Sequence, residues 1–562
     1  MAITLIVLPT DLLALIISYI RANSDLRNVY RTCKALYAVA IVPVYRTMTL
    51  WLHEDRDQRK LKQALVPENA CLDHVRHLVL VPFTRCWNEA GGDLLILLQL
   101  LANHLPCDSL ISFTLDCPIH NEAVTHLGLT ASSIFETLYR RQRNLRTMRV
   151  DPWANLSQIR RFGNLANVTT LKFEICSTAT AVTCGDVLQH TPSLRNLEIR
   201  LHLDDFGPVP SSYQISAGIV TCVFGNFLKT RQRMVLKALQ LYGFHLSPTS
   251  NQLAAAIDLS RLESLGLQQC LSIVDILGKM KPTSVPHRPR LHTLVLTQNS
   301  EAWGWNPIEN DDFDTAAFDD FLESFTGLEV LLVAASGHRG LMPGFKALNN
   351  HAATLRLLYL DCLPIFSSAD DADLTEDPNI LSTSNLHLLM RQCSRLEQLA
   401  LETPDLMLNY DDTEIEEPMK KIAVALATAP RLRTFRPINQ LVHRVNIAGY
   451  VDGYLPMNEV SSAWIDSTLQ HWATRFMNSS PRLTAMGLAL RRSPFGTWPD
   501  VDGFFVQSHY YVRGHQLDAY GRKSMVALRV DHEQVREIEP VSEILEMDPY
   551  DDSGLLRLGY QP

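Results

Sequence analysis

The sequence lacks the cysteine spacings of small metal sites and of disulfide-stapled proteins. Its 11 cysteines are scattered, odd in number, and include no Cys-x-x-Cys pair. A zinc ribbon and a disulfide framework are therefore not indicated. Thiols without such a framework are typical of a reducing compartment, so we expect a cytoplasmic or nuclear protein.

An excess of positive charge is also missing. Lys and Arg number 51 against 60 Asp and Glu, which gives a formal net charge of −9. Proteins that bind nucleic acid generally present a basic surface, so nucleic acid is not an expected partner. No Lys or Arg precedes Arg21, and Pro9, Thr10 and Asp11 interrupt the first apolar run. A signal peptide or membrane anchor is therefore disfavoured, and no membrane partner is expected.

Motifs of catalysis are not found. The sequence has no nucleotide-binding loop, no nucleophile elbow and no His-Glu-x-x-His. Single candidates such as Cys86 and His104 have no readable base or orienting group beside them. We therefore expect no catalytic residue, metal site or cofactor, with an unrecognised enzyme as the least favoured alternative.

What is present begins with an apolar stretch between Leu8 and Leu50. Leu8-Pro9-Thr10-Asp11 is typical of a helix start, because proline suits the first turn and Asp11 suits the positive end of the helix dipole. A second helix is predicted to start near Ser24 or Asp25, and Pro43 is predicted to end the helical run. The first helix has more than one apolar stripe, so a short unit cannot cover it alone.

The order of these residues resembles the F-box, and VPVYRTMTL resembles the ending common in fungal F-box proteins. Leu36 departs from the pattern, since many members have Trp there. The resemblance implies docking on the Skp-family adaptor of a cullin–RING ubiquitin ligase. An ordinary helical cap on the following domain is the alternative. The residues that match the adaptor-binding pattern are Leu8, Pro9, Leu12, Leu13, Ile16, Ile20, Leu26, Val29 and Cys33.

Beyond this stretch, the pattern Leu-x-x-Leu-x-Leu returns along the whole chain. Two apolar positions spaced by two predict a strand with one face in a core. Helical segments separate the copies, and the pattern is the leucine-rich-repeat signature. Cys176, Cys270 and Asn299 occupy its Asn/Cys position, and Met525/Leu528/Val530 is a weaker final copy. The clearer copies begin at Val75, Leu110, Leu145, Val168, Leu194, Leu236, Leu262, Leu291, Leu328, Leu355, Leu396, Leu432 and Leu483.

The predicted fold is α/β: an N-terminal helical F-box, then a leucine-rich-repeat solenoid with parallel strands inside and helices outside. The predicted domains are an F-box over 1–50, a linker helix over 51–73, the solenoid over 74–540, and a C-terminal cap or tail over 541–562.

Two kinds of segment stand apart from the repeats. The acidic inserts 309–320, 369–378 and 411–417 are predicted to be solvated loops, with an acidic rim for a basic partner as the alternative. The stretch Phe504–Tyr520 alternates as a strand or hairpin does. His509 and His515 within it match no metal spacing, so a core or hydrogen-bonding role is expected.

The resemblance implies the substrate-recognition subunit of a Skp–cullin–F-box E3 ubiquitin ligase, which holds an unknown target protein near the ubiquitin carrier. The alternative is an F-box and leucine-rich-repeat scaffold with no ubiquitination role. Target choice is expected on the inner strand face, at the x positions of the repeats. The residues predicted there are Arg195, Asn196, Glu198, Glu263, His292, Arg356, Tyr359 and Glu397.

Overall fold

The computed structural model of the chain describes residues 8–20, 23–52, 65–66, 69–82, 99–115, 137–150, 165–202, 212–281, 289–299, 315–336, 342–361, 382–402, 416–438, 462–490, 507–517, 519–535 and 543–546. The chain divides into two compact units, Met1–Asp258 (unit 1) and Leu259–Pro562 (unit 2). The predicted insert 369–378 and residues 411–415 of the predicted insert 411–417 lie outside the described residues, whereas Glu416 and Glu417 begin a helix and not a loop.

Unit 1 opens with helices α1 (Thr10–Ser18), α2 (Asn23–Tyr30) and α3 (Lys34–Arg46). The Pro9 carbonyl accepts hydrogen bonds from the amides of Leu12 and Leu13, both at 3.0 Å, so α1 begins where the sequence predicts. The second predicted helix is divided into α2 and α3, and Pro43, which is predicted to end the helical run, lies inside α3. Proline removes a single helical hydrogen bond, and the packed residues before it hold the last turn. A shared core joins the helices: Leu13, Ile17, Leu26, Leu36, Val39 and Ala40.

The repeats of unit 1 form parallel strands, each paired with the next along the chain. Strand β1 occupies the end of the predicted F-box and the first two residues of the predicted linker helix, one strand earlier than the repeat pattern indicates. The strands described in unit 1 are β1 (Thr47–Leu52), β2 (His77–Pro82), β3 (Ser112–Leu115), β4 (Thr147–Val150), β5 (Thr170–Ile175), β6 (Asn196–Leu201) and β7 (Ala238–Tyr242).

Unit 2 continues the parallel pattern through β14 and then changes to antiparallel pairing. The hairpin of β15 and β16 confirms the strand predicted within Phe504–Tyr520. Met525/Leu528/Val530 is not a repeat, because Leu528 is 44% exposed on an antiparallel strand. The strands described are β8 (Ser264–Gln268), β9 (Thr293–Asn299), β10 (Val330–Ser336), β11 (Leu357–Asp361), β12 (Gln398–Glu402), β13 (Thr434–Ile438), β14 (Ala485–Leu490), β15 (Gln507–Leu517) and β16 (Lys523–Val530).

Helices lie between the strands and pack on one another in sequence order within each unit. The described ones are α4 (Thr178–Gln189), α5 (Ser212–Thr230) and α6 (Ser250–Ala256) in unit 1. In unit 2 they are α7 (Ile273–Met280), α8 (Thr315–Glu323), α9 (Phe345–Asn349), α10 (Thr383–Gln392), α11 (Glu416–Ala427), α12 (Ser462–Ser479), α13 (His532–Val535) and α14 (Glu543–Glu546).

The anchor side chains of the repeats form the core between strands and helices. Leu265 and Leu267 of β8 are fully buried, and Phe435 of β13 packs on Phe476 of α12 with 5.5 Å between ring centroids. The predicted leucine-rich-repeat type of α/β fold is therefore confirmed. The sheet face that points away from these anchors is called the far face below.

Two local expectations need correction or refinement. The loop prediction for the acidic insert 309–320 is wrong for Thr315–Asp320, which begin helix α8, and Asp319 accepts a hydrogen bond from the Gly344 amide. Residues 309–314 lie outside the described residues. Cys270 is buried as predicted for a repeat position, and its thiol donates to the Gln268 carbonyl at 3.3 Å.

Candidate interaction surfaces

Helix α1 presents apolar side chains to solvent as well as to the core. Leu12, Leu15, Ile16 and Tyr19 are 46%, 53%, 40% and 78% exposed. Their spacing of three and four residues places them on one stripe of the helix. Leu13 and Ile17 occupy the opposite stripe and are buried in the helical core. An exposed apolar stripe on a structured helix is typical of a protein-binding surface.

The predicted adaptor residues divide between that surface and the core. Pro9, Leu12 and Ile16 are exposed, while Leu13 and Leu26 are buried and hold the three helices together. The remaining ones are partly buried: Leu8, Ile20, Val29 and Cys33.

A small apolar cavity of about 260 Å³ lies between α1 and the following two helices. Ile16 joins it to the exposed stripe, and Val29 and Leu36 line its other side. It offers space for an apolar side chain of a partner.

Sequence reasoning did not single out Leu15 and Tyr19, although both are exposed on the stripe. The signal that could have found them is their spacing from Leu12, since residues at i+3 and i+7 share a helix face. A match to the F-box pattern identifies single positions, whereas helical periodicity identifies all residues that share a face, including Leu15 and Tyr19.

The predicted target residues fall on two different surfaces. Arg195, Glu263, His292, Arg356 and Glu397 each directly precede a strand, at one equivalent position of the repeat. The amide of this position bonds the carbonyl of the same position in the preceding repeat, as between Lys237 and Arg195 at 2.7 Å and between Arg356 and Glu329 at 2.7 Å. We name this line of residues the entry row. Asn196, Glu198 and Tyr359 lie in strands instead.

The far face of unit 1 carries charges that pair with one another. Glu198 of β6 lies 2.8 Å from the Lys172 amine and 3.1 Å from the Arg200 guanidinium. Arg149 pairs with Glu174 on the same face, and Arg200 stacks over the Tyr242 ring. These cations and carboxylates therefore compensate each other inside the sheet face.

Glu198 is only 4% exposed. Its burial acts to raise the pKa, but Lys172 and Arg200 outweigh burial and hold the pKa of this carboxyl below its ordinary value. Glu198 is thus charged, paired and covered. The expectation that it offers a free charge to a target is wrong for this conformation.

The far face of unit 2 is apolar and is covered by the C-terminal segment. Val295, Leu332 and Tyr359 form one buried cluster with Ile544 and Leu545 of α14, and Val535 of α13 joins it. Tyr359 is 1% exposed, so it is not accessible to a target in this conformation. The described part of the predicted cap therefore covers a sheet face.

Polar contacts fix α14 in place. The Ile544 amide donates to the Gln398 side chain at 3.1 Å, and its carbonyl accepts from Arg436 at 2.9 Å. Arg356 lies 3.2 Å from the Glu543 carboxylate. Both backbone groups of Ile544 are satisfied by strand side chains, which gives the segment a defined position.

Among the described residues, no His, Cys, Asp or Glu group has the arrangement of a metal site. No helix in those ranges has the length and apolarity required to cross a membrane. His509 is buried, with its Nδ1 atom 3.4 Å from Asp466 Oδ1, whereas His515 is exposed.

Comparisons with known proteins add little to this geometry. No family model and no curated protein matches the chain. Among solved structures, the chain is similar to the crystal structure of the Rad7 and Elc1 complex in yeast, with 12% identity, a TM-score of 0.32, and coverage of 84% of this chain and 87% of that chain. A likeness this weak carries no weight for fold or function, so the surfaces are interpreted from their own contacts.

Proposed function

We propose that the chain is a substrate-recognition subunit of a Skp–cullin–F-box ubiquitin ligase. The N-terminal helices bind the Skp-family adaptor, and the repeats bind a target protein. The exposed stripe of α1 is the observation that carries this proposal. It lies within the segment whose residue order resembles the F-box.

The energetics favour a partner for that stripe. Removing one Leu or Ile side chain from water contributes roughly 1.5–3 kcal/mol. The buried stripe of α1 already stabilises the fold, so covering the exposed stripe can contribute to binding without being needed for folding. The adjoining cavity of about 260 Å³ supplies space for an apolar anchor.

The chain's own role is positional. Bound to the adaptor, it raises the concentration of a captured target near the ubiquitin carrier, while other subunits perform the chemistry. We assign no catalytic residue to it. The repeat surfaces that stay accessible are the natural candidates for target capture.

Co-purification tests the proposal. The tagged full chain should bring down both the adaptor and a cullin, and at least one bound protein should accumulate when the proteasome is blocked. Recovery of the adaptor without cullin, and without any accumulating protein, would favour a scaffold with no ubiquitination role. Recovery of neither would remove the F-box assignment.

A further inference from the structure

The entry row has a one-sided charge in unit 1. Its hydrogen-bonded ladder runs through five basic residues and no acidic one, with Ile111 and Thr169 as the neutral members. The side chains of Arg146 and Arg195 are exposed. Within the part of the chain that the structure describes, neither guanidinium has an ion-pair partner. The basic members are Arg46, Arg76, Arg146, Arg195 and Lys237.

Unit 2 provides an internal comparison, because its entry row carries charges of both signs. Successive members bond through amide and carbonyl at 2.7–2.8 Å. Acidic and basic neighbours there stand one strand spacing apart, about 5 Å, and compensate each other. Three members are acidic and two are basic, and His292 and Thr484 are neutral; the charged ones in order are Glu263, Glu329, Arg356, Glu397 and Arg433. The two units share the repeat geometry, so the positive charge of the row in unit 1 comes from its residues and not from the fold.

A cavity of about 920 Å³ lies along the entry row of unit 1. Arg76, Arg146 and Arg195 line it, and Asp108 is the one carboxylate among its lining residues, with its Oδ1 atom accepting a hydrogen bond from the Arg143 amide at 2.7 Å. Ser109 also lines the cavity, and its buried hydroxyl has no hydrogen-bond partner among the described residues. The cavity therefore carries an excess of positive charge.

We propose that this entry row is the docking surface for a peptide segment rich in Asp and Glu on a partner protein. Arg146 stands two strand spacings from Arg195, about 10 Å, and the same from Arg76. An extended peptide advances about 3.3 Å per residue, so every third residue meets the next arginine. Guanidinium groups bind carboxylates through paired hydrogen bonds, which matches the exposed Arg146 and Arg195. Arg76 is partly buried, and its guanidinium donates to the Asp73 and Ser109 carbonyls.

A peptide fits the surface better than nucleic acid does. Nucleic-acid surfaces combine a basic domain with base-stacking or groove-reading groups. The chain has a formal net charge of −9, and the lining residues of the cavity include no aromatic side chain. The far-face cations of unit 1 are paired with carboxylates, so the far face offers a peptide less free positive charge than the entry row does.

Fluorescence anisotropy of the full chain with a labelled peptide of alternating Glu and Asp tests this proposal. The peptide should bind, and Arg146→Glu with Arg195→Glu should weaken binding by about tenfold or more per arginine, the usual effect of losing a hydrogen bond to a charged group. Rising salt should weaken binding as well. Both side chains are exposed, so circular dichroism should not change; Arg146→Gln with Arg195→Gln replaces the pair if it does.

The matched control is Arg433→Glu with Arg482→Glu, which changes the same charge at exposed positions of unit 2. It should leave binding intact. Equal loss in both double variants, no peptide binding at all, or preferential binding of duplex DNA or inorganic phosphate would each overturn the proposal. So would peptide binding that requires deletion of Ala369–Pro378, because the chain's own acidic insert would then occupy the row.

The proposal rests on the proposed function only in taking the partner to be a captured target. Adaptor binding is measured on the same preparations. If the full chain binds the acidic peptide but not the adaptor, the proposed function is contradicted and the acidic-peptide site is supported. The reverse result would remove the site alone.

Discussion

Glu198 of strand β6 is a buried carboxylate that lies between two cations. Its position in the repeat predicts a contact with a target, but the carboxylate is buried against Lys172 and Arg200. Neutralising it would leave two cations facing each other on the sheet. We expect Glu198→Gln to lower the free energy of unfolding at neutral pH by about 1–3 kcal/mol.

The pH dependence gives this prediction its sign. The folded pKa lies below the ordinary 4.5, so the stabilisation by Glu198 is complete above 4.5 and is lost as pH falls through the folded pKa. Urea unfolding of wild type and Glu198→Gln should therefore differ at neutral pH and converge toward the lowest pH at which the chain stays folded. An equal difference at both ends would contradict the ion-pair account.

Arg356 is also paired with a carboxylate, so replacing it affects more than a target contact. Arg195→Glu combined with Arg356→Glu changes an exposed arginine in unit 1 and also breaks the contact with Glu543. A loss of target capture in that variant would therefore mix two causes. Replacing Arg146 and Arg195 instead changes only exposed arginines of unit 1, so a loss of capture in that variant has one cause.

At the level of helices, the packing of α4 on α5 depends on a glycine. A Cβ atom at Gly185 would stand 2.6 Å from the Cys222 carbonyl oxygen, which is backbone and cannot rotate away. Gly185→Ala should force the helices apart and cost about 1–3 kcal/mol. Gly218 in α5 has no atom within 4 Å of the same position, so Gly218→Ala should stabilise by about 0.5–1 kcal/mol.

Thermal unfolding of the two variants measures this difference. The midpoint should fall for Gly185→Ala and rise for Gly218→Ala. Shifts of the same sign in both would mean that helix propensity, and not helix contact, decides the effect.

The C-terminal segment makes a second prediction at this scale. A chain that ends at Val530 loses α13 and α14 and uncovers Leu332 and Tyr359. Since each buried apolar side chain of the lost helices contributes about 2 kcal/mol, the midpoint of unfolding should fall, and binding of the dye ANS should rise. A chain that ends at Glu546 keeps both helices and should behave as wild type. Identical ANS binding by the two truncated chains would contradict the covering role.

The elements that sequence predicts best are those set by local periodicity. The Leu-x-x-Leu-x-Leu copies become strands because alternation fixes which side chains enter the core. Leu528 fits the same pattern yet is exposed, because strand direction depends on the preceding hairpin and not on local spacing. Pro43 inside α3 is likewise a tertiary outcome, since burial of the neighbouring turn holds the helix.

For the whole molecule, the candidate surfaces were only partly predictable. The residue order that resembles the F-box predicts helices in this segment, but which leucines face out follows from how α1 packs on α3. The position of the C-terminal helices depends on contacts more than a hundred residues away in sequence, such as Ile544 with Gln398. No local pattern encodes such a contact, so Tyr359 could not be recognised as covered.

The surfaces proposed for target capture and for adaptor binding are different parts of unit 1. The entry row presents charge, while the stripe of α1 presents apolar area. Salt should therefore weaken capture of an acidic target much more than it weakens the adaptor complex, because apolar burial is not screened.

The most direct test of the central claim is the affinity of the purified Skp-family adaptor for the full chain carrying Leu12→Glu and Leu15→Glu. Both side chains are exposed, so the fold should persist, while two charges enter the proposed interface. Binding should weaken by about a hundredfold or more, as the loss of two buried leucines requires. Val182→Glu, at an exposed position of α4, should bind as wild type does. Unchanged adaptor affinity in the Leu12 and Leu15 variant would contradict the account.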